Sequence, residues 1–423
     1  MKLRLFILMF AFSIFVSCHS KKGITEKMDT NPLPEIMTRL PKQFAPILAE
    51  PDKYRLQILY TQIDRDSDNQ PSFSQYDFNL KTDEYFYPAS SVKLAATALA
   101  LEKLNDLNIA GLDKSSPLTI DSASAGQTAV TGDSSAASGK ASIAHYIKKI
   151  LLVSDNDAFN RLFEFVGQRD FNQRLWEKGM TDTKILRRLS VPGTPEMQQY
   201  GNPFNFYDGE KLIYQQPQSY NPDKMQVRMD GVKQGRGYMS GDKLIEESID
   251  FSHSNYTPLP DLHGVLRRII FPESYPPAQR FRLTDEDYLF LRRYLSMLPR
   301  ESDDPKYPDS LTQIDGNAKT LMFGDRKEKI PPRIRIFSKS GGAYGYLIEN
   351  AYIVDFKENV EFFLTAVIQV NDNQIYNDDT YEYDTVGKPF LAALGRAVYN
   401  FERNRKKEYP PDLSKFQRIH QSN

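Results

Sequence analysis

A chain of 423 residues with 54 Lys and Arg against 55 Asp and Glu carries a formal charge of −1, so no basic field steers it toward nucleic acid and no such partner is expected. A single cysteine excludes an internal disulfide and a thiolate metal cluster. The five histidines show no H-E-x-x-H or similar spacing, so neither a metal nor another cofactor is expected.

Residues 1–17 place Lys2 and Arg4 ahead of an apolar run from Leu5 to Val16, too short to span a membrane, and read as a secretory signal. Next comes Phe15-Val16-Ser17-Cys18, which resembles the lipobox of bacterial lipoproteins, and Cys18 is the only cysteine. That resemblance implies lipidation at Cys18 and a bacterial envelope protein, lipid-anchored and facing the periplasm. Loss of the signal removes two positive charges and leaves 52 basic against 55 acidic residues. Residues 18–50 show no sustained period and are expected to be a tether with a marginal helix near 34–40. One large domain is expected over 51–403, with 404–423 as a C-terminal tail.

Leu56, Ile58 and Tyr60 alternate with Arg55 and Gln57, the period of a half-buried strand, and a second strand is expected after the turn at 64–71. The run 92–104 is apolar nearly all round, as in a helix buried in the interior. Ile143, Ile147, Ile150 and Leu151 give a helix, and Phe159, Leu162, Phe163 and Val166 another, with a break between them at 154–156. Leu262 to Ile269 and Tyr288 to Leu298 repeat the helical period, so the middle of the chain reads as mostly helical. Runs at 333–338, 350–355 and 360–370 are strand-like, and 388–400 returns to helix. Two strands at the start and three near the end suit one antiparallel sheet.

Three short strings lie on this frame in a fixed order: Ser90-Ser91-Val92-Lys93, Ser154-Asp155-Asn156 and Lys339-Ser340-Gly341. Each alone is cheap, since Ser240-Gly241-Asp242-Lys243 and Ser67-Asp68-Asn69 repeat two of them in polar or Gly-rich turns. Taken singly, each is also what a helix cap or a charge on a strand edge would give. At i and i+3 of one helix, Ser90 and Lys93 share a face, so a neutral Lys93 amine could take the Ser90 proton. Burial and a second cation, Lys339, would both depress the Lys93 pKa. No G-x-S-x-G string is present, which removes the commonest rival serine-hydrolase layout.

The ordered strings resemble the S-x-x-K, S-D-N and K-[ST]-G signature of the class A β-lactamase and penicillin-binding-protein superfamily. Their contexts, FYPASSVKL, LLVSDNDAFNRLFEFVG and IFSKSGGAYGYLIENAYIVD, together with YTPLPDLHGVLRRI, extend the resemblance over about residues 50–403. It implies an α+β fold of three layers, α/β/α, in which a five-stranded antiparallel sheet is flanked by helices beside an all-helical subdomain. It further implies that Ser90 is the nucleophile, Lys93 its base and Ser154 the proton donor to the leaving nitrogen. Asn156 would hold Lys93 and the substrate amide. Lys339, Ser340 and Gly341 would form the strand that takes a substrate carboxylate, and the backbone N–H groups of Ser90 and Gly342 the oxyanion hole. The chain departs from the family in two ways. Leu189 occupies the place of the usual deacylating glutamate, leaving Glu196 as the nearest replacement, and no Lys or Arg lies between Lys339 and Lys357. Insertions near 200–255 and 300–333 have no counterpart in typical members. A monomer is expected, acting on a small-molecule β-lactam or a peptidoglycan-like substrate. The three functions in contention are a β-lactamase, a D,D-peptidase-like enzyme that releases β-lactams slowly, and an envelope-binding lipoprotein without turnover.

Overall fold

The structure, a computed structural model, describes residues 30–124 and 126–420. The expected signal at 1–17 and the expected lipidation site Cys18 lie outside the described residues. Five strands form the main sheet: β1 (Gln57–Arg65), β2 (Pro71–Phe78), β3 (Ile334–Ala343), β4 (Tyr346–Asp355) and β5 (Val360–Gln369). Their order is β3-β4-β5-β1-β2, antiparallel throughout. The two ends of the domain therefore meet in one sheet, and β3 is left as an edge. Tyr344 and Gly345, both at positive φ, make the tight connection from β3 to β4 that a right-twisted hairpin requires.

Both faces of the sheet are covered. On one side Phe337, Tyr352, Val354 and Phe363 join a core that includes helices α1 (Lys93–Leu107), α2 (Ile143–Val153), α3 (Asn156–Val166), α4 (Leu259–Ile270) and α5 (Asp285–Ser296). On the other, Ile336, Ile353, Phe362 and Leu364 pack with Phe390, Leu391, Leu394 and Val398 of α6 (Lys388–Asn404). The fold is thus α+β in three layers. Each fully buried Leu or Phe in these layers contributes roughly 1.5–3 kcal/mol by leaving water. Because both faces are covered, β1 is buried along nearly its whole length rather than on one face as its alternation predicts.

Other expectations are refined or corrected. The helix expected near 34–40 is present as Leu33–Thr38, but it and a second helix, Ala45–Ala49, are packed into the domain rather than strung on a tether, with Leu33, Ile36, Phe44 and Ile47 buried with the α6 core. The tail at 404–423 returns to the other core through Leu413, Phe416 and Ile419. The 200–255 segment, to which no elements were assigned within a mostly helical middle, is built of short strands, among them Phe204–Asp208 and Lys211–Gln216, which add to Leu118–Ile120. Strand β3, which the apolar period places at 333–338, continues through Lys339, Ser340 and both glycines, as the resemblance implies.

Candidate active site

Ser90 lies in a single 3₁₀ turn, Ala89–Val92, that leads directly into α1. Ala89, just before it, is held at φ +46°, a left-handed backbone that non-glycine residues adopt only under constraint. The constraint is β3. A Cβ added to Gly341 would lie 2.7 Å from the Ser90 nitrogen and 2.8 Å from that of Ser91. Only glycine lets the edge strand approach the start of the nucleophile helix this closely. Gly341→Ala is accordingly expected to push the strand off Ser90 and slow acylation about a hundredfold, the penalty for a misplacement near 1 Å. Acylation rates, beside an unchanged circular dichroism spectrum, check this.

Ser154-Asp155-Asn156 is a double cap. Ser154 ends α2 in the left-handed region at φ +61°, while the Asp155 carboxylate accepts the Ala158 N–H at 2.8 Å and starts α3. The turn aims both flanking side chains at Lys93. The Lys93 Nζ donates to the Ser154 carbonyl at 2.5 Å and to Asn156 Oδ1 at 2.5 Å, and lies 3.3 Å from Ser154 Oγ. From the opposite side Lys339 Nζ donates to Ser154 Oγ at 2.8 Å and to the Ser340 carbonyl at 2.7 Å. Two buried lysines therefore meet on one serine hydroxyl.

Burial pushes the Lys93 amine down to about 7, against a small opposing pull from Asp155. The repulsion expected from a second cation acts on the other partner: Lys339 falls well below its ordinary value through burial and then through the charges of Lys93 and Lys319. Behind it the buried Glu349, raised by burial, accepts from Ser338 Oγ at 2.6 Å, and Lys319 donates to the Leu295 carbonyl at 2.6 Å.

Ser90, Asn156 and Gly342 line a cleft of about 450 Å³, whereas Ser154, Lys339 and Ser340 line a second cavity of about 140 Å³. Lys93 links the two. Both segments expected to be insertions bear on these walls. Leu311, Asn317 and Ala318 from the 300–333 region close the smaller cavity, and Phe251 packs on Tyr87 and Tyr344, which line the larger one.

One face of α3 fixes the loop opposite. Asn160 exchanges two hydrogen bonds with the Leu189 backbone, and Glu164 holds Arg188. Ser190 is thereby brought to the cleft, where its Oγ accepts from Asn156 Nδ2 at 2.8 Å. Ser190 was not singled out from the sequence, where it directly follows Leu189 without a string of its own. Glu196, the candidate deacylation base, is not brought to this cleft. It is exposed on the short helix Pro195–Gln198 and lines a separate cavity with Asp223 and His253. Its own backbone N–H and Thr194 lower its pKa, which makes it a weaker base. Glu196→Gln is expected to leave turnover within about twofold of the parent, as for a solvated surface residue. Stopped-flow hydrolysis of a chromogenic cephalosporin by both proteins measures it.

Residues 39–236 match the family model described as the β-lactamase enzyme family. No curated protein matches the sequence. Among solved structures the chain is similar to a β-lactamase from Xanthomonas campestris, with 14% identity over 88% of this chain and 98% of that one and a TM-score of 0.46. It is also similar to a β-lactamase from Sphaerobacter thermophilus, at 12% identity over 89% and 100% with a TM-score of 0.48. A class A β-lactamase from Clostridium kluyveri gives 14% identity over 85% and 98% with a TM-score of 0.44.

Proposed function

We propose that this chain, a member of the serine β-lactamase and penicillin-binding superfamily, is a serine hydrolase that is acylated at Ser90 and hydrolyses a β-lactam amide. The observation that supports it is the convergence of Lys93 and Lys339 on the Ser154 hydroxyl, next to a serine three positions before Lys93 in the same helical start.

A neutral Lys93 amine has two N–H donors, and the Ser154 carbonyl and Asn156 Oδ1 take both, which leaves its lone pair to accept the Ser90 proton. Ser90 Oγ then bonds to the amide carbon, and the carbonyl oxygen becomes an oxyanion held by the Ser90 and Gly342 N–H groups. As the C–N bond breaks, Ser154 passes its proton to the nitrogen and regains one from the lysine that holds it. Water later cleaves the ester and restores Ser90.

Edge strand β3 suits an extended substrate, because its outward backbone groups pair with no strand among the described residues. Lys339 and Ser340 would face a carboxylate on the leaving half. The lipid anchor at Cys18, and with it a periplasm-facing place in the bacterial envelope, belongs to the same proposal and rests on residues 1–18 alone.

A second reading is favoured by one observation: among the described residues, no carboxylate other than Asp379 lines the cleft. An enzyme without a placed base for water would resemble D,D-peptidases that bind penicillin and release it slowly. Time-resolved intact mass after mixing with a penicillin tests both. A transient adduct on Ser90 is the expected result, a persistent one supports the peptidase-like reading, and no adduct leaves only a binding lipoprotein.

A further inference from the structure

Beyond Gly342 the cleft ends in a wall of four tyrosines, Tyr87, Tyr344, Tyr381 and Tyr383. These rings are held in place. Tyr87 and Tyr344 meet edge to face at 4.8 Å, and Tyr381 and Tyr383 lie 5.3 Å apart. The Tyr381 hydroxyl accepts the Asn377 N–H at 2.9 Å, and that of Tyr383 accepts the Gly345 N–H at 2.8 Å. The 371–383 segment is itself fastened to the 200–255 insertion, where Ile375–Tyr376 pairs in parallel with Gly237 and Tyr238.

On the same wall Asp379, exposed and held at φ +56°, is the one charged residue among the described residues that lines the cleft. Its carboxylate makes no hydrogen bond or ion pair with any described residue. Arg187, whose charge reaches Tyr87 and Tyr344, is bonded to the Val191 carbonyl and does not line the cleft. An exposed, unpaired carboxylate on a wall that also presents tyrosine rings attracts a cation by its charge, with the ring quadrupoles adding to it.

We infer that this end of the cleft recognises an ammonium group on the acyl half of the substrate, so that the preferred acyl donor is cationic. The side is set by the strand. Lys339 and Ser340 precede the oxyanion donor Gly342, and Tyr344 follows it, so the tyrosine wall flanks the half that stays attached to Ser90. The inference rests on the reading of Ser90 as the acylated residue, and it specifies which acyl groups reach that serine fastest.

Two arms test it. In the first, acylation of the parent is followed by intact mass with a penicillin whose side chain carries an α-ammonium and with the neutral phenylacetyl penicillin. The cationic probe is expected to react about three- to tenfold faster, the scale of one exposed ion pair with a cation–π contribution. That ratio falls to about one in Asp379→Asn. In the second arm, Ser90→Ala, which cannot be acylated, is titrated with N-acetyl-lysyl-D-alanyl-D-alanine and with its Nε-acetylated form, followed by saturation-transfer NMR.

Tighter binding of the free amine, lost when Asp379→Asn is added, supports recognition even if no penicillin acylates the parent. Preference in the first arm alone identifies a small β-lactam as the source of the ammonium, and preference in the second a peptide. Equal behaviour of charged and neutral probes in both arms, or a preference that survives Asp379→Asn, overturns the inference whatever Ser90 does.

Discussion

Ser90→Ala is expected to give no covalent adduct with any penicillin and no turnover above background, while Ser240→Ala matches the parent in both. The two serines share a string but not a setting. Ser90 opens a buried helix three residues before Lys93, under the edge strand that brings Gly341 against its backbone. Ser240 is the exposed end of the short strand Gly237–Ser240, and Gly241 turns the chain back toward an exposed Lys243. With no buried amine to take its proton, the Ser240 hydroxyl stays a weak nucleophile. Loss of the nucleophile removes the covalent route altogether, a deficit on the order of 10⁶ in kcat where such units have been dissected. Peptide mapping of the adduct decides it, since any serine other than Ser90 carrying the mass would remove the mechanism.

The parts of the fold that were legible are those where period and burial agree. An unbroken apolar run at 92–104 has one structural use, and α1 takes it. Strands at the two ends of the domain carry enough β-branched and aromatic residues to pair as one sheet. The helix near 34–40 was legible, but its packing, the helix at 45–49 and the return at 413–419 were not. Short apolar sets flanked by Pro, Lys and Arg do not say what they pack on, and their burial comes from cores built by residues far away in sequence. The 200–255 insertion escaped because strands of two to six residues carry no countable alternation.

The site divides in the same way. Local strings identified Ser90, Lys93, Ser154, Asn156 and Lys339, and the structure brings these residues to one junction. Why Ser154 and Asn156 converge was also local chemistry: the left-handed end of α2 and the Asp155 cap of α3 are both properties of the S-D-N residues. Ser190 and the tyrosine wall depend on tertiary placement. Tyr87 lies more than 250 residues from Tyr344 and Tyr381, and the packing of Phe251 on Tyr87 and Tyr344 and the pairing at 375–376 help hold the three together.

Lys93→Ala is expected to slow acylation of Ser90 by about 10³-fold or more, within the range for a positioned base and raised by the groups it strands. The Ser154 carbonyl and Asn156 Oδ1 would both lose their donor in a buried setting. The pH profile separates a base from a merely structural lysine. Burial lowers the amine from its ordinary 10.5 to about 7, so the reactive neutral form dominates above pH 7 and is lost as the pH falls through it. By pH 6 roughly a tenth of the amine remains neutral, and the acylation rate should fall by about tenfold per unit below that. In Lys93→Ala this acid limb should vanish, because the group that titrates is gone while Ser90 remains. A residual slow reaction independent of pH between 5 and 8 would assign the limb to Lys93. An acid limb near 7 that persists in the variant would assign it elsewhere, to Lys339 first, since its amine is also depressed by burial and shares the Ser154 hydroxyl.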